Sequence, residues 1–306
     1  MPFNFCTIST KSHLFKVKAL RDSLFLVNPS FLFHVLVVDR GETIPQDASD
    51  SISYYPLHVL ISPLSQSITE KYQHNLDKLR WSLKPIFMTY LLENGQSDQL
   101  IYLDNDIAFF NDFSFLFELL QSKPILLTPH HYPRYSNKMQ NWLEANFKVG
   151  LYNAGFIGVN KNAIPTLEWW ANCCLYRCEK SAWRGLFDDQ KYLDLFPIIE
   201  PNSLVLQHQG CNVAEWNREV SIRTVDQNTA EVRINNQWPI VFIHFNHTTM
   251  TTFHRGEDKL LKPFFDTYLS WLTKYNPNFN PKPSFSIQTL IDLVKLRIWH
   301  FLDSIN

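Results

Sequence analysis

The chain has 306 residues, of which 45% are hydrophobic and 15% aromatic, which is the composition of a globular protein and excludes a disordered or fibrous one. Its 28 Lys and Arg residues nearly balance its 29 Asp and Glu residues, so the formal net charge of −1 gives no general attraction for nucleic acid. Any anionic ligand must therefore be recognised by a local site.

The first part of the chain predicts a β-α-β unit. Residues 3–8 are a short apolar run typical of a strand, and apolar residues at helical spacing follow over residues 13–27. A nearly continuous apolar run at 31–38 then indicates a strand covered on both faces, which is typical of a parallel sheet.

The middle of the chain continues this alternation. Strands are predicted at 57–61, 99–103, 124–128 and 238–245, and a loop that enters a strand at 151–159. Helices are predicted at 82–92, 115–120, 138–147, 163–177 and from 188 onwards. Pro85 would lie in the first turn of the 82–92 helix, where proline is tolerated, and Gly95 just past its end. The pattern predicts an α/β fold in which helices flank a central, mostly parallel, Rossmann-like sheet.

The C-terminal part of the chain differs in character from the main domain, residues 1–275. Residues 276–284 are predicted to be a linker, and residues 285–306 to form an amphipathic helix outside the core. Trp299 beside Lys295 and Arg297 suits peripheral contact with a membrane surface. The alternatives are packing onto the main domain and contact with a partner protein.

The cellular setting is predicted from what the sequence lacks. The N-terminal residues enter an apolar strand without a basic leader, and no apolar run reaches membrane-spanning length. The five cysteines include no Cys-x-x-Cys pair, which argues against zinc and against a disulfide framework. A reducing cytoplasmic setting is therefore the expectation, with any membrane contact at the inner face.

The stretch that ends in Asp104-Asn105-Asp106 has the strongest chemical signal. A short apolar run leads into two acids spaced i, i+2, and apolar residues resume at Ile107. In an open α/β sheet, ligands bind outside the carboxyl ends of the strands, where two carboxylates suit a divalent cation and a phosphorylated substrate. The alternative is a polar turn that closes the strand, since Asp and Asn are ordinary turn residues.

Four motifs, taken in order, resemble one family. They are Tyr-Leu-Asp-Asn-Asp at 102–106, Tyr-Asn-Ala-Gly-Phe at 152–156, Asp-Asp-Gln-Lys at 188–191 and Phe-Ile-His-Phe at 242–245. Together they are similar to the nucleotide-sugar transferases of the glycosyltransferase type A fold, in particular the family-8-like retaining enzymes and their bacterial relatives. The resemblance covers about residues 3 to 272. It implies a catalytic domain that moves a sugar from a nucleotide-sugar, with UDP expected, to a glycan or lipid-linked acceptor.

The resemblance also implies roles for single residues. Asp104, Asp106 and His244 would bind a divalent cation, with Mn²⁺ preferred over Mg²⁺ because an imidazole joins the carboxylates. Asp189 and Gln190 would lie at the reacting face of the donor sugar. The further donor-binding candidates are Thr7, Ser9, Asp39, Lys84, Asp104, Asn105, Asn153, Ala154, Gly155, Asn212 and Trp216.

Several of these residues also have purely structural explanations. His244 and Trp216 are typical of a protein core, and Asn153 is typical of a turn. Asp188 and Asp189 are also typical caps of a helix N-terminus.

The sequence departs from the family at a diphosphate-binding lysine. Members commonly have a His-x-x-Gly-x-x-Lys motif, but neither Gly nor Lys follows His244 in register. His247, Lys84 and Arg255 remain as candidates for that contact.

Three other function classes compete with a transferase. A phosphatase of the haloacid dehalogenase type has its nucleophilic Asp on an early strand and usually Thr or Val where this chain has Ala108. A nucleotidylyltransferase would normally have a Gly-rich, basic loop after the first strand, whereas residues 7–11 contain no glycine. A non-catalytic sugar-binding protein on the same fold would be expected to lose its acids, and this chain keeps them.

Overall fold

The computed structural model describes residues 2–39, 41, 51–133 and 140–280. The strands are β1 Phe3–Ser9, β2 Phe31–Val37, β3 Ile52–Pro56, β4 Gln99–Leu103, β5 Ile107–Phe109, β6 Ile125–Pro129, β7 Tyr152–Asn160, β8 Glu179–Ser181, β9 Leu186–Asp188, β10 Leu204–Val205, β11 Arg223–Val225, β12 Val232–Ile234, β13 Trp238–Pro239 and β14 Phe242–His244. The α-helices are α1 Leu14–Val27, α2 Pro63–Tyr72, α3 Leu76–Glu93, α4 Ser114–Leu120, α5 Gln140–Lys148, α6 Ile164–Tyr176, α7 Phe196–Ile199, α8 His247–His254 and α9 Lys262–Tyr275. Within the described ranges, no helix is both long enough and apolar enough to cross a bilayer. The helix predicted at 285–306, and the predicted linker beyond residue 280, lie outside the described residues.

A seven-stranded sheet forms the centre of the fold, in the order β10-β6-β7-β4-β1-β2-β3. All neighbouring strands in it are parallel except β7, which runs antiparallel to both β4 and β6. The prediction of an α/β fold with a mostly parallel sheet is therefore confirmed. The reversal of β7 matters for the site, because its first residues meet the carboxyl end of β4, where Leu103 pairs with Phe156.

A second, two-stranded sheet brings a distant part of the chain to the same edge. β14 pairs antiparallel with β5, and His244 lies opposite Ile107. The backbone N–H of Phe245 donates to the carbonyl of Asp106 at 2.7 Å. β5, the strand that follows the two acids, therefore positions β14, the strand that ends in His244.

The hydrophobic core lies on both faces of the central sheet. Alternate residues of β1 face opposite layers: Cys6 packs in the cluster that contains residues of α3 and α6, and Phe5 in the cluster that contains residues of α1 and α4. Both side chains are fully buried. A fully buried phenylalanine stabilises a fold by about 1.5–3 kcal/mol. This two-sided burial explains why β1 and β2 are mostly apolar.

The third strand lies earlier in the chain than predicted. β3 pairs with β2, whereas residues Leu57–Val59, inside the strand predicted at 57–61, form a 3-10 helix. Pro56 ends the strand because proline has no N–H to donate to a ladder. The prediction of a strand at 57–61 was therefore wrong.

The helix before β4 is longer than predicted. It begins at Leu76 because the side chain of Asn75 accepts the backbone N–H of Lys78 at 3.0 Å, which caps the N-terminus. The sequence pattern had predicted Pro85 in the first turn of a shorter helix, but Pro85 lies inside α3. The longer helix keeps Lys84 well inside a regular segment that packs against the sheet.

Candidate functional site

Asp104, Asp106 and His244 form a compact group at the carboxyl end of β4. One potential ligand atom from each residue lies within 4.8 Å of the others. Nε2 of His244 is 3.1 Å from Oδ1 of Asp106. Two carboxylates and an imidazole at this separation are a donor set that suits a divalent cation such as Mn²⁺.

Gly155 on β7 leaves the space that this group needs. A Cβ at this position would lie 2.5 Å from Cε1 of His244 and 2.7 Å from Oδ1 of Asn153. The backbone carbonyl of Gly155 accepts the N–H of Asp104 at 2.8 Å, so the two chain segments touch directly. Glycine is required here by the close approach of the backbone to the cluster.

The carboxyl of Asp106 is ionised at neutral pH. Burial alone would raise its pKa, but the imidazole of His244 and the ammonium of Lys16 hold the pKa below its ordinary value. Lys16, on α1, was not identified from the sequence, because a single lysine on a helix has no distinctive pattern. A carboxylate that stays charged is what a cation site needs.

Lys84 lies beneath the acids and connects two of them. Its Nζ is 3.3 Å from Oδ1 of Asp104 and 3.1 Å from Oδ2 of Asp189, and it donates to the carbonyl of Ala154 at 3.0 Å. Only 3% of its side chain is exposed. Burial lowers the pKa of the Lys84 ammonium, but the two carboxylates outweigh that effect and raise the pKa above its ordinary value. The charged lysine therefore holds the carboxylates of Asp104 and Asp189 close to each other.

Asp189 is buried and does not serve as a helix cap. The α-helix predicted from Asp188 onwards is the 3-10 helix Gln190–Leu195, and the side chain of Asp189 makes no capping hydrogen bond to it. Burial raises the pKa of the Asp189 carboxyl to about 6, although Lys84 acts in the opposite direction. Its backbone carbonyl accepts the indole N–H of Trp170 at 2.8 Å, which fixes the segment against α6.

Gln190 and Asn153 shape the first residues of β7. Oε1 of Gln190 accepts the backbone N–H of Ala154 at 3.1 Å, and its Nε2 donates to the carbonyl of Val149 at 3.2 Å. Oδ1 of Asn153 accepts the backbone N–H of Gly155 at 3.0 Å. The amide of Gln190 is thus tied to backbone on both sides, and Asn153 does form the local turn bond that its residue type indicates.

Trp216 reaches the same region from the segment between β10 and β11, in which Asn212 also lies. The indole ring of Trp216 meets the ring of His244 edge-on, with centroids 5.3 Å apart. Trp216 is 7% exposed, and neither its Nε1 nor the side-chain amide of the fully buried Asn212 has a hydrogen-bond partner among the described residues. Buried polar groups without partners are rare in folded proteins, and a bound ligand is one way to satisfy them.

The candidates at the ends of β1 and β2 lie on the same edge of the sheet. Nδ2 of Asn105 donates to Oγ of Ser9 at 3.3 Å, which links the ends of β4 and β1. Oδ2 of Asp39 accepts the backbone N–H of Lys11 at 2.6 Å, which links the ends of β2 and β1. Thr7 is fully buried, and its hydroxyl has no partner within the described part of the chain.

The three candidates for the diphosphate contact lie in different places. Lys84 is buried within the ion pairs described above, and His247 is an exposed residue at the start of α8. Arg255 follows the other end of α8, is 67% exposed and lies 3.8 Å from Glu257. Only Lys84 is in contact with the acids, and which residue would contact a diphosphate stays a prediction.

Tyr102 is a further residue of the site, and it was not predicted from the sequence. Its hydroxyl donates to Oδ1 of Asp104 at 2.9 Å. Residues i and i+2 of a strand lie on one face, so an aromatic two positions before the first acid is a signal that the sequence does contain.

Comparison with known proteins supports the fold. No family model matches the chain. Two Bacillus subtilis (strain 168) proteins, both called uncharacterized, are 26% identical: YfnF over 249 residues (79% of this chain and 80% of YfnF) and YfnD over 257 residues (82% and 79%). The solved structure of the galactosyltransferase LgtC in complex with donor and acceptor sugar analogs matches 88% of this chain and 96% of LgtC, with a TM-score of 0.50 and 13% identity. The apo form of mouse xyloside xylosyltransferase 1 matches 81% and 99%, with a TM-score of 0.49 and 15% identity. The likeness to LgtC confirms the glycosyltransferase type A fold that the four motifs predicted.

Proposed function

We propose that this chain, which has the glycosyltransferase type A fold, is a metal-dependent glycosyltransferase that moves a sugar from a UDP-sugar to a glycan or lipid-linked acceptor. The observation that supports this most strongly is the convergence of Asp104, Asp106 and His244 at one sheet edge, with Asp189 joined to them through Lys84. LgtC, the galactosyltransferase solved with donor and acceptor sugar analogs, offers a precedent on the same fold.

The residues present fit a divalent cation. Oδ1 of Asp106 and Nε2 of His244 are 3.1 Å apart, and Gly155 keeps side-chain atoms out of the space beside them. Carboxylates suit a hard cation, and the imidazole favours Mn²⁺ over Mg²⁺. When bound, such a cation would act as a Lewis acid that neutralises the diphosphate as the bond between sugar and phosphate breaks.

The remaining residues would bind and orient the donor sugar. The ionised carboxylate of Asp189 accepts hydrogen bonds, and in this proposal it holds hydroxyl groups of the sugar. Lys84 keeps that carboxylate in place, since its Nζ is 3.1 Å from Oδ2 of Asp189. Gln190 and Asn153 fix the backbone at residues 153–155, which would lie along the sugar. Precise orientation of this kind is a large part of catalysis in group transfer.

We expect transfer with retention at the anomeric carbon. The amide of Gln190 is a poor nucleophile and is tied to Ala154 and Val149, so a covalent intermediate on it is not expected. Attack from the leaving-group face, with a diphosphate oxygen accepting the proton, needs only orientation and charge stabilisation. Proton NMR of the fresh product from a UDP-α-sugar should therefore show an α linkage. A β linkage would refute retention and direct the search for a general base to Glu215, His247 or Asp188.

Donor binding can be tested by a thermal-shift screen of UDP-sugars and GDP-sugars, each with Mn²⁺ and with a chelator. A ligand that binds only the folded state stabilises it by about 2.7 kcal/mol at 100 times its Kd, which would raise Tm by several degrees. We expect that rise for a UDP-sugar with Mn²⁺ and a smaller one with the chelator. Equal shifts with and without Mn²⁺ would contradict metal dependence, and a shift with GDP-sugars alone would contradict the choice of UDP.

A further inference from the structure

We infer that Tyr102 is a positioning residue for Asp104. Its hydroxyl holds one carboxylate oxygen of Asp104 within the protein, which leaves the other oxygen to bind the cation. The inference rests on the proposed function, since it concerns the same metal site.

The first oxygen of Asp104, Oδ1, is held by two donors of the protein. The hydroxyl of Tyr102 donates to it at 2.9 Å, and Nζ of Lys84 lies 3.3 Å away. The same Nζ lies 5.0 Å from the centroid of the Tyr102 ring, so the phenol and the ammonium pack against each other. Tyr102 is 2% exposed, and its place on β4 fixes where its hydroxyl points.

The second oxygen, Oδ2, faces the cation cluster. A Cβ built on Gly155 would lie 3.1 Å from Oδ2 and 2.5 Å from Cε1 of His244, so both atoms border the same small space. Among the described residues, Oδ2 receives no hydrogen bond, whereas Oδ1 is fully engaged. The carboxylate therefore presents one free oxygen to the side where His244 lies.

The carboxylate of Asp104 must be held in one orientation for its two oxygens to differ in this way, because the terminal torsion of an aspartate is broad and roughly two-fold. Without the Tyr102 hydroxyl, the carboxylate would be held by Lys84 alone, which also pairs with Asp189 and is not directional in the same way. Groups that hydrogen-bond to metal ligands commonly contribute about 10- to 100-fold in metal affinity by fixing the ligand orientation. We therefore expect the loss of this single hydroxyl to weaken cation binding while leaving the packing of the ring unchanged.

The test compares Tyr102→Phe with Tyr72→Phe and the wild type. Tyr72 is a matched control, because it is also buried and its hydroxyl donates to the carbonyl of Cys174 at 2.9 Å and accepts the N–H of Cys178 at 3.0 Å. Titration with Mn²⁺ alone, followed by the electron paramagnetic resonance signal of the free ion, measures Kd, and circular dichroism melts report folding. We expect Kd to rise about tenfold in Tyr102→Phe and to stay at the wild-type value in Tyr72→Phe.

Each outcome decides the matter. A wild-type Kd in folded Tyr102→Phe would overturn the role of Tyr102 and leave the proposed function intact. Equal weakening in both variants would also overturn it, since the effect would then follow from general loosening of the core. Absence of Mn²⁺ binding in the wild type would overturn this inference, whereas the metal dependence of the proposed function is decided by the thermal-shift comparison of a UDP-sugar with and without Mn²⁺.

Discussion

Replacing Asp106 with asparagine is expected to weaken Mn²⁺-dependent binding of a UDP-sugar by about 100-fold or more. The carboxylate is held in its ionised form beside His244, so its substitution removes a charged ligand and not only a hydrogen bond. Removal of an orienting neighbour of a ligand already costs about 10- to 100-fold in metal affinity, and loss of a ligand should cost at least the upper part of that range. Isothermal titration calorimetry with Mn²⁺ present and absent would measure the change.

The fold should survive this substitution. An asparagine oxygen still faces Nε2 of His244, and the paired strands β5 and β14 hold the loop through backbone bonds. Asp98→Asn is a matched control, because Asp98 directly precedes β4, its side chain is 75% exposed and its ion pair within the described part of the chain is with Lys161 at the surface. It should bind as the wild type does. Unchanged affinity in both Asp106→Asn and Asp104→Asn would remove the metal site from this edge of the sheet.

The order of buried strands and helices could largely be predicted from the sequence. β1, β2 and β4 are covered on both faces, and such strands appear as predominantly apolar runs. β3 was misplaced because it is the last strand of the sheet and mostly half-buried, so its run Ile52–Pro56 is less apolar than the segment that follows. The hairpin of β8 and β9 and the strands β11 and β12 were missed, since strands of three residues depend on their partners and not on their own pattern. The single strand predicted at 238–245 is divided in the structure into β13 and β14.

The part of the site that follows one strand directly could be predicted from local sequence, whereas the part brought in by strand pairing could not. Asp104 and Asp106 follow their strand directly, so a local pattern was enough to single them out. His244 reaches them only through the pairing of β14 with β5, which joins segments that are far apart in sequence. No local pattern encodes that pairing, and the order of the four motifs supplied it.

The burial of Lys84 and its ion pairs could not be predicted from the sequence. A lysine within a helix is normally a solvated residue, and nothing in its neighbours signals burial. The structure places its ammonium between Asp104 and Asp189, where its charge is compensated. A contact between Lys84 and a diphosphate stays a prediction. Without any ligand, Lys84 is already paired with the carboxylates of Asp104 and Asp189.

Asp189→Asn is expected to lower kcat by about 100-fold with a smaller effect on donor affinity, because misplacement of a reacting group costs roughly that much. The carboxylate is buried beside Lys84, so its substitution also leaves the ammonium with one carboxylate partner in place of two. The pKa of Asp189 is raised to about 6 by burial, and the protonated form can neither compensate Lys84 nor accept a second hydrogen bond from the sugar in the same way. The wild-type rate should therefore fall as the pH drops through about 6, and Asp189→Asn should lack that step.

Asp188→Asn provides the matched control for this prediction. Asp188 is the neighbouring acid, but its Oδ2 lies 3.5 Å from Nζ of Lys180 on the adjoining strand β8 and not beside Lys84. Its φ of 50° is in the left-handed region, which asparagine adopts more readily than most residues, so the backbone should be undisturbed. Steady-state kinetics from pH 5 to 8 should give a near wild-type kcat and the same acid limb for Asp188→Asn. If the two variants lose activity equally, the reaction depends on the charge of the whole segment, and the specific role of Asp189 at the donor sugar is refuted.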